Sequence, residues 1–227
     1  MSFYVGLSIL PDGGTGHKRL LSAEARRILS LFEGIPIDEN CMAREEQGRP
    51  FLPGREIDFS IAHSGALTAV SLVRGGNLRT GCDVERIIRR PGAAGIAEEF
   101  FTASEKKYIF PQGRFDETRF YEIWTLKESY LKLRGLSVFD MAACPSFIND
   151  EDSNTAPFAF GAAVSRALSF RLYELSDGAG ERYMLATAVE GQAQPTIRWF
   201  SQSSLACRMS AEIKAAPNPA ETVSPKR

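Results

Sequence analysis

Trp124-Thr125-Leu126-Lys127-Glu128-Ser129-Tyr130-Leu131-Lys132 lies inside a strong helical pattern that the spacing carries from residue 116 to residue 134, where Gly135 stops it. Phe120, Ile123, Trp124 and Leu131 mark its apolar stripe. Glu128 falls on that stripe rather than on the polar side, and a carboxylate there is costly to bury without a partner. Lys132 follows one helical turn later, in the favourable order for an exposed ion pair of about 0.2 to 0.5 kcal/mol. The other reading makes Glu128 a metal ligand or general base beside Lys127 and Lys132, which would then address a phosphate. On these residues alone both readings stay open.

Upstream stands Thr80-Gly81-Cys82-Asp83-Val84-Glu85, a strand pattern. Side chains two apart on a strand share a face, so Asp83 and Glu85 point one way and Cys82 and Val84 the other. Two carboxylates held so close repel unless a cation or a proton intervenes. Either Arg86, Arg89 and Arg90 neutralise the pair at a strand end, or the pair holds a divalent ion, for which oxygen ligands favour Mg²⁺. Residues 57 to 88 read as a β-meander with turns at Ser64-Gly65 and Arg74-Gly75-Gly76-Asn77. His63 sits at a strand end, and Gly48-Arg49-Pro50 forms a loop whose arginine fork suits a phosphate.

Farther out, residues 3 to 9 predict a strand stopped by Pro11-Asp12-Gly13-Gly14-Thr15-Gly16. Residues 20 to 32 predict an amphipathic helix capped by Ser22. Thr102-Ala103-Ser104-Glu105 is a capping box opening a short helix over residues 103 to 110. Further strands are expected at residues 146 to 149, 168 to 175, 182 to 189 and 196 to 201, with a turn at Asp177-Gly178-Ala179-Gly180. Helix and antiparallel strands thus recur in both parts of the chain. The division expected is residues 1 to 90, residues 91 to 208, and a Pro- and Ala-rich disordered tail over residues 209 to 227.

The charge count, 27 basic against 28 acidic residues, gives no global pull toward nucleic acid or an anionic membrane. No apolar run reaches the length of a membrane span, and the start lacks the pattern of a secretory signal, which places the protein in the cytoplasm. Cys41, Cys82, Cys144 and Cys207 are scattered, without metal-binding spacing, and are expected as reduced thiols. Neither His17 nor His63 lies near a nucleophile turn, so a triad hydrolase is disfavoured.

Taken in order, Gly48-Arg49-Pro50, Asp58-Phe59-Ser60-Ile61-Ala62-His63-Ser64, Gly81-Cys82-Asp83-Val84-Glu85, Phe100-Phe101-Thr102 with Glu105, and the segment from Trp124 to Lys132 form a set. This set resembles the Sfp-type 4'-phosphopantetheinyl transferases. The resemblance implies an α/β (α+β) fold of two similar halves in pseudo-twofold arrangement, each an antiparallel sheet packed with a long helix. It implies transfer of the 4'-phosphopantetheine arm of coenzyme A to a serine of an apo acyl or peptidyl carrier protein. It places the metal ligands for Mg²⁺ on Asp83, Glu85 and Glu128, with Glu128, Lys132 and Lys127 as catalytic residues. Arg49, His63, Ser64, Lys18, Arg19 and Lys132 would contact coenzyme A.

Two departures stand out: Ala62 where many relatives have Ser, and a short N-terminal part in which Lys18 and Arg19 would replace a longer basic segment. They imply weaker coenzyme A binding. The acidic carrier is expected to dock on Arg86, Arg89 and Arg90, with Ile87, Ile88 and Phe101 as apolar contacts, and one chain supplying both halves implies a monomer. Two other functions compete with the transferase. One is a catalytically weak module that binds coenzyme A or a carrier; the other is an unrelated Mg²⁺ phosphohydrolase. The intact Asp83, Glu85, Glu128 and Lys132 set argues against the first, and the segment from Trp124 to Lys132 against the second.

Overall fold

The structure is a computed structural model that describes residues 2–10, 17–75, 77–148, 168–177 and 179–200, and the backbone of residues 206–215. In chain order the strands and helices are β1 (Ser2–Ile9), α1 (His17–Glu33), β2 (Ala43–Arg44), β3 (Pro50–Phe51), β4 (Ile57–Ser64), β5 (Leu67–Arg74), β6 (Thr80–Arg86), α2 (Ala93–Phe100), α3 (Ala103–Ile109), α4 (Glu117–Arg134), β7 (Leu168–Ser176), β8 (Arg182–Glu190), β9 (Thr196–Trp199) and β10 (Ala206–Ala215). Two four-stranded sheets form, in the orders β4-β5-β1-β9 and β10-β7-β8-β6, beside a small β2-β3 ribbon.

Period-two alternation gives each sheet two apolar faces, and each face finds a partner. Phe3, Val5, Leu7, Leu67 and Ala69 of the first sheet meet Cys82, Val84, Leu175 and Leu185 of the second in a common core. The outer face of the first sheet, through Val70, Leu72 and Phe59, receives Ala25, Ile28 and Leu29 of α1. The outer face of the second, through Phe170, Leu172 and Ala186, receives Phe120, Ile123 and Leu131 of α4. The result is a mixed α/β stack in which a helix covers each outer face. α4 lies directly on β6: a Cβ placed on Gly81 would meet the Ser129 carbonyl oxygen at 2.0 Å and the Leu133 nitrogen at 2.7 Å. Only glycine permits that approach.

Local signals and observed ends agree for two helices. α3 begins with the full capping box, Thr102 accepting from the Glu105 amide and Glu105 accepting from the Thr102 amide. α4 begins at N-cap Asp116 and ends at Gly135 with φ 69°. α1 instead starts five residues before Ser22, whose hydroxyl bonds the Lys18 carbonyl inside the helix rather than capping it. α2 and the β2-β3 ribbon were not anticipated.

The expected meander is broken after its second strand. β4 and β5 pair, but β6 leaves for the second sheet and pairs with β8. β9 makes the reverse move, joining the first sheet parallel to β1, so that sheet is not wholly antiparallel. The sheets therefore do not respect a boundary at residue 90. Residues 209–215, expected in a disordered tail, continue β10 against β7. Ser146 to Ile148 hold one isolated bridge in place of a strand. The loop over residues 11–16, Gly76, Asn149, Gly178, Ser201 and residues 216–227 lie outside the described residues.

Candidate active site

β6 supplies the acidic edge of the site. Because Cys82 and Val84 are committed to the core between the sheets, Asp83 and Glu85 must face the other way, and for Asp83 that is the side of α4. Asp83 is buried; its Oδ1 accepts from the Lys132 ammonium at 2.7 Å, and its Oδ2 has no hydrogen-bond partner among the described residues. Glu85 Oε2 accepts from the Ser64 hydroxyl at 2.8 Å, and the Arg86 amide donates to the same hydroxyl at 3.0 Å. Ser64 thus fastens the end of β4 to the end of β6.

α4 supplies the opposite wall. Glu128 is half-buried, and burial, reinforced by the negative charge of Asp83, pushes its carboxyl up to about 7 despite the nearby Lys132. Burial also raises Asp83, opposed by Lys132. Glu85 rises through burial and then through repulsion from Asp83. Burial works against the Lys132 charge, but Asp83 outweighs it and holds the ammonium above its ordinary range. His63, exposed on β4, is pushed down by partial burial and by the positive charges of Lys132 and Lys18. Asp83, Glu85, Glu128, Lys132, His63 and Lys18 therefore share one electrostatic neighbourhood.

Among the described residues no three acidic, histidine or cysteine side chains converge closely enough to cage a metal ion. Lys132 sits on one oxygen of Asp83, and Ser64 holds Glu85. The donor set nevertheless fits a hard divalent cation: its atoms are all carboxylate oxygens, one of them buried and unpartnered, and each carboxylate is raised by burial beside the others.

Two expected contacts are corrected. Lys127, on the same helix, is fully buried and ion-paired with Glu105 at 3.1 Å, its ammonium 5.4 Å from the centre of the Phe101 ring. It cannot touch a phosphate without leaving that pocket. Arg49 is 8% exposed and points inward, with its Nη atoms on Asp58, the Phe59 and Thr80 carbonyls and the Lys132 carbonyl. Its fork is taken by protein acceptors rather than presented to a nucleotide. Ser64 likewise has its hydroxyl proton committed to Glu85. Arg19 is exposed on α1.

The docking patch shrinks in the same way. Phe101 is 5% exposed, and Arg86 lies 3.5 Å from Glu181, which leaves Ile88, Arg89 and Arg90 on the surface. Arg90 is close enough to lower Glu85, and Tyr121 of α4 donates to the Ile88 carbonyl. Asp58 and Tyr121 were given no partner from sequence and Glu105 only its capping role; the pairing of Asp58 with Arg49 and of Glu105 with Lys127 joins separate elements, which no local spacing reveals.

Beside Lys132 a pocket of about 220 Å³ opens between Gln47, Gly48, Arg49, Pro50, Ile61 and Leu136. A larger one, about 460 Å³, lies among Arg55, Glu56, Asn77 and Arg79, and none of the three site carboxylates lines it. Cys41 is exposed and Cys82 and Cys144 are buried, all as free thiols. No helix among the described residues is long and apolar enough to cross a membrane.

The family description "4'-phosphopantetheinyl transferase superfamily" matches residues 79–188, which include Asp83, Glu85, Glu128 and Lys132. The chain is 29% identical over 193 residues to a phosphopantetheinyl transferase of Thraustochytrium sp., covering 74% of this chain and 64% of that protein. It is 32% identical over 117 residues to the 4'-phosphopantetheinyl transferase gsp of Aneurinibacillus migulanus, covering 50% and 46%. A third relative, the 4'-phosphopantetheinyl transferase pptA of Paxillus involutus, is 24% identical over 211 residues, covering 84% and 78%. The alignments thus span 64% and 46% of the first two relatives' length.

Proposed function

We propose that the chain, whose residues 79–188 match the 4'-phosphopantetheinyl transferase superfamily, transfers the 4'-phosphopantetheine arm of coenzyme A to a serine of an apo acyl or peptidyl carrier protein. The serine Oγ forms a bond to the β-phosphorus of coenzyme A, the pyrophosphate bridge breaks, and adenosine 3',5'-bisphosphate leaves. The observation that supports this most directly is the pairing of Lys132 with one oxygen of buried Asp83 while the other stays unpartnered beside Glu128.

Asp83, Glu85 and Glu128 would hold Mg²⁺, which supplies charge neutralisation for the pyrophosphate and polarisation at phosphorus when bound. Glu128 takes the serine proton. Lys132 stabilises charge on the departing phosphate. His63 and Lys18, on the same side as Lys132, contact the phosphates, and the pocket between Gly48 and Leu136 receives the nucleotide. Ile88, Arg89 and Arg90 face an acidic carrier. The reading includes two pseudo-twofold halves, supported by the matched pairing of α1 with one sheet and α4 with the other, and takes the protein as a cytoplasmic monomer.

The test is to incubate the protein with coenzyme A, Mg²⁺ and several apo carriers and to weigh each carrier. The expected result is a gain of one phosphopantetheinyl group on at least one carrier. Coenzyme A binding without any mass gain would overturn transfer in favour of a binding module.

A further inference from the structure

Arg49 and Asp58 carry an inference that neither the motif nor the relatives assign. Arg49 leaves the loop before β3 and reaches three separate elements: Asp58 Oδ2 of β4 at 2.5 Å with the neighbouring Phe59 carbonyl at 3.1 Å, the Thr80 carbonyl at the start of β6 at 2.8 Å, and the Lys132 carbonyl in the last turn of α4. Asp58 Oδ2 also accepts from the Thr80 amide at 2.7 Å. The start of β6 is therefore held at both its amide and its carbonyl. Three residues farther along the same strand is Asp83, and the ammonium resting on Asp83 belongs to the residue whose carbonyl Arg49 holds.

We infer that the Arg49–Asp58 pair is a positioning device that fixes the depth of the last turn of α4 on β6 and so sets the Lys132 ammonium against Asp83. Lys132 is gripped at its carbonyl by one pair and at its ammonium by the other. A guanidinium at a helix C-terminus also meets the negative end of the helix dipole, which favours its seat there. Gly81 lets the two backbones touch, so a small slip of the turn is transmitted directly to the reacting groups. Lysine in place of Arg49 keeps the charge but cannot span acceptors on three elements. Arg49 borders the pocket beside Lys132, but its Nη atoms are all turned to protein acceptors, so it acts through Lys132.

The inference rests on the transferase reading for its kinetic consequence but not for its structural one, and the test separates the two. Arg49→Lys and Asp58→Asn are compared with the parent protein by mass-resolved labelling of lysine amines and, in parallel, by carrier modification. Expected for both variants is a rate of Lys132 labelling raised by about tenfold while Lys127 stays protected. The turnover number should fall by roughly a hundredfold, the scale of a catalytic group displaced by an ångström, with KM for coenzyme A within about twofold of the parent. Unchanged Lys132 labelling, or equal acceleration at Lys127 and Lys132, overturns the inference, the latter by showing general loosening only. A raised KM with turnover retained in Arg49→Lys also overturns it, because Arg49 would then touch the nucleotide. If the parent modifies no carrier, the transferase reading fails separately and the labelling alone decides.

Discussion

α4 carries two lysine–carboxylate pairs five residues apart, and they behave as opposites. Lys127 and Glu105 are sealed: both side chains are fully buried, and the two carboxylate oxygens also accept from the Phe147 and Thr102 amides, each at 2.9 Å. Lys132 and Asp83 are open: the lysine side chain is 30% exposed, and one carboxylate oxygen has no hydrogen-bond partner among the described residues. A saturated pair joins α3, α4 and the segment at Phe147 into one body. An unsaturated pair, reachable from outside, can exchange its partners for a ligand. The same residue types on one helix thus separate into scaffold and chemistry by how many of their bonds are already taken.

The largest effect expected is on the sealed pair. Glu105→Gln leaves the Lys127 charge buried without its counter-ion and should lower stability by about 3 to 5 kcal/mol, measured by denaturant unfolding. Adding Lys127→Met to it should recover most of the loss. The comparison breaks if Glu105→Gln abolishes transfer while the melting temperature stands still.

Next is the open pair. Lys132→Met should lower turnover by about 10² to 10³, the range for losing one group that stabilises developing charge. With Mg²⁺ present its melting temperature should stay within about 2 to 4 °C of the parent, because the cation answers Asp83 in place of the ammonium. Mg²⁺ should give no such relief to Glu105→Gln. Equal response of both variants to Mg²⁺ would erase the distinction.

The smallest effect is a pH-dependent one at Glu128. Its folded carboxyl titrates at about 7 against an ordinary 4.5, so the stability of the metal-free protein that goes with the protonated form is fully present below about 4.5 and lost as pH rises through about 7. Glu128→Gln should therefore match the parent near pH 4.5 and melt about 2 to 4 °C higher at pH 8 without metal. In Mg²⁺ the sign should reverse. A variant that melts with the parent at both pH values would show that the carboxyl is not strained.

Much of this was legible in the sequence where local rules act alone. The capping box at Thr102, the stop at Gly135 and the shared face of Asp83 and Glu85 follow from helix and strand geometry over a few residues. The place of Glu128 on the apolar stripe marked a carboxylate costly to bury, and burial does raise it, although the sequence left its role open. What failed was set at long range. The glycines after β5 favour a turn, but whether the next strand folds back or crosses to another sheet depends on β8, some hundred residues on. Arg49 in a Gly-Pro loop looked suited to a phosphate; its direction is decided by acceptors at positions 58, 80 and 132, which no local spacing reveals. Lys127 was drawn into the site by its neighbour Glu128, although adjacent helix positions face different surroundings.

The parallel pairing of β1 with β9 joins residues 4 to 7 to residues 196 to 199. An early strand of the chain is thus completed by one almost two hundred residues later. β1 can take β5 early, but its other edge waits through most of synthesis as an unpaired apolar strand, and such edges invite pairing with other chains. A chain stalled or truncated before residue 196 would leave that edge of β1 exposed, so the four-residue β9 moves the open edge of the sheet from a long apolar strand to a short one.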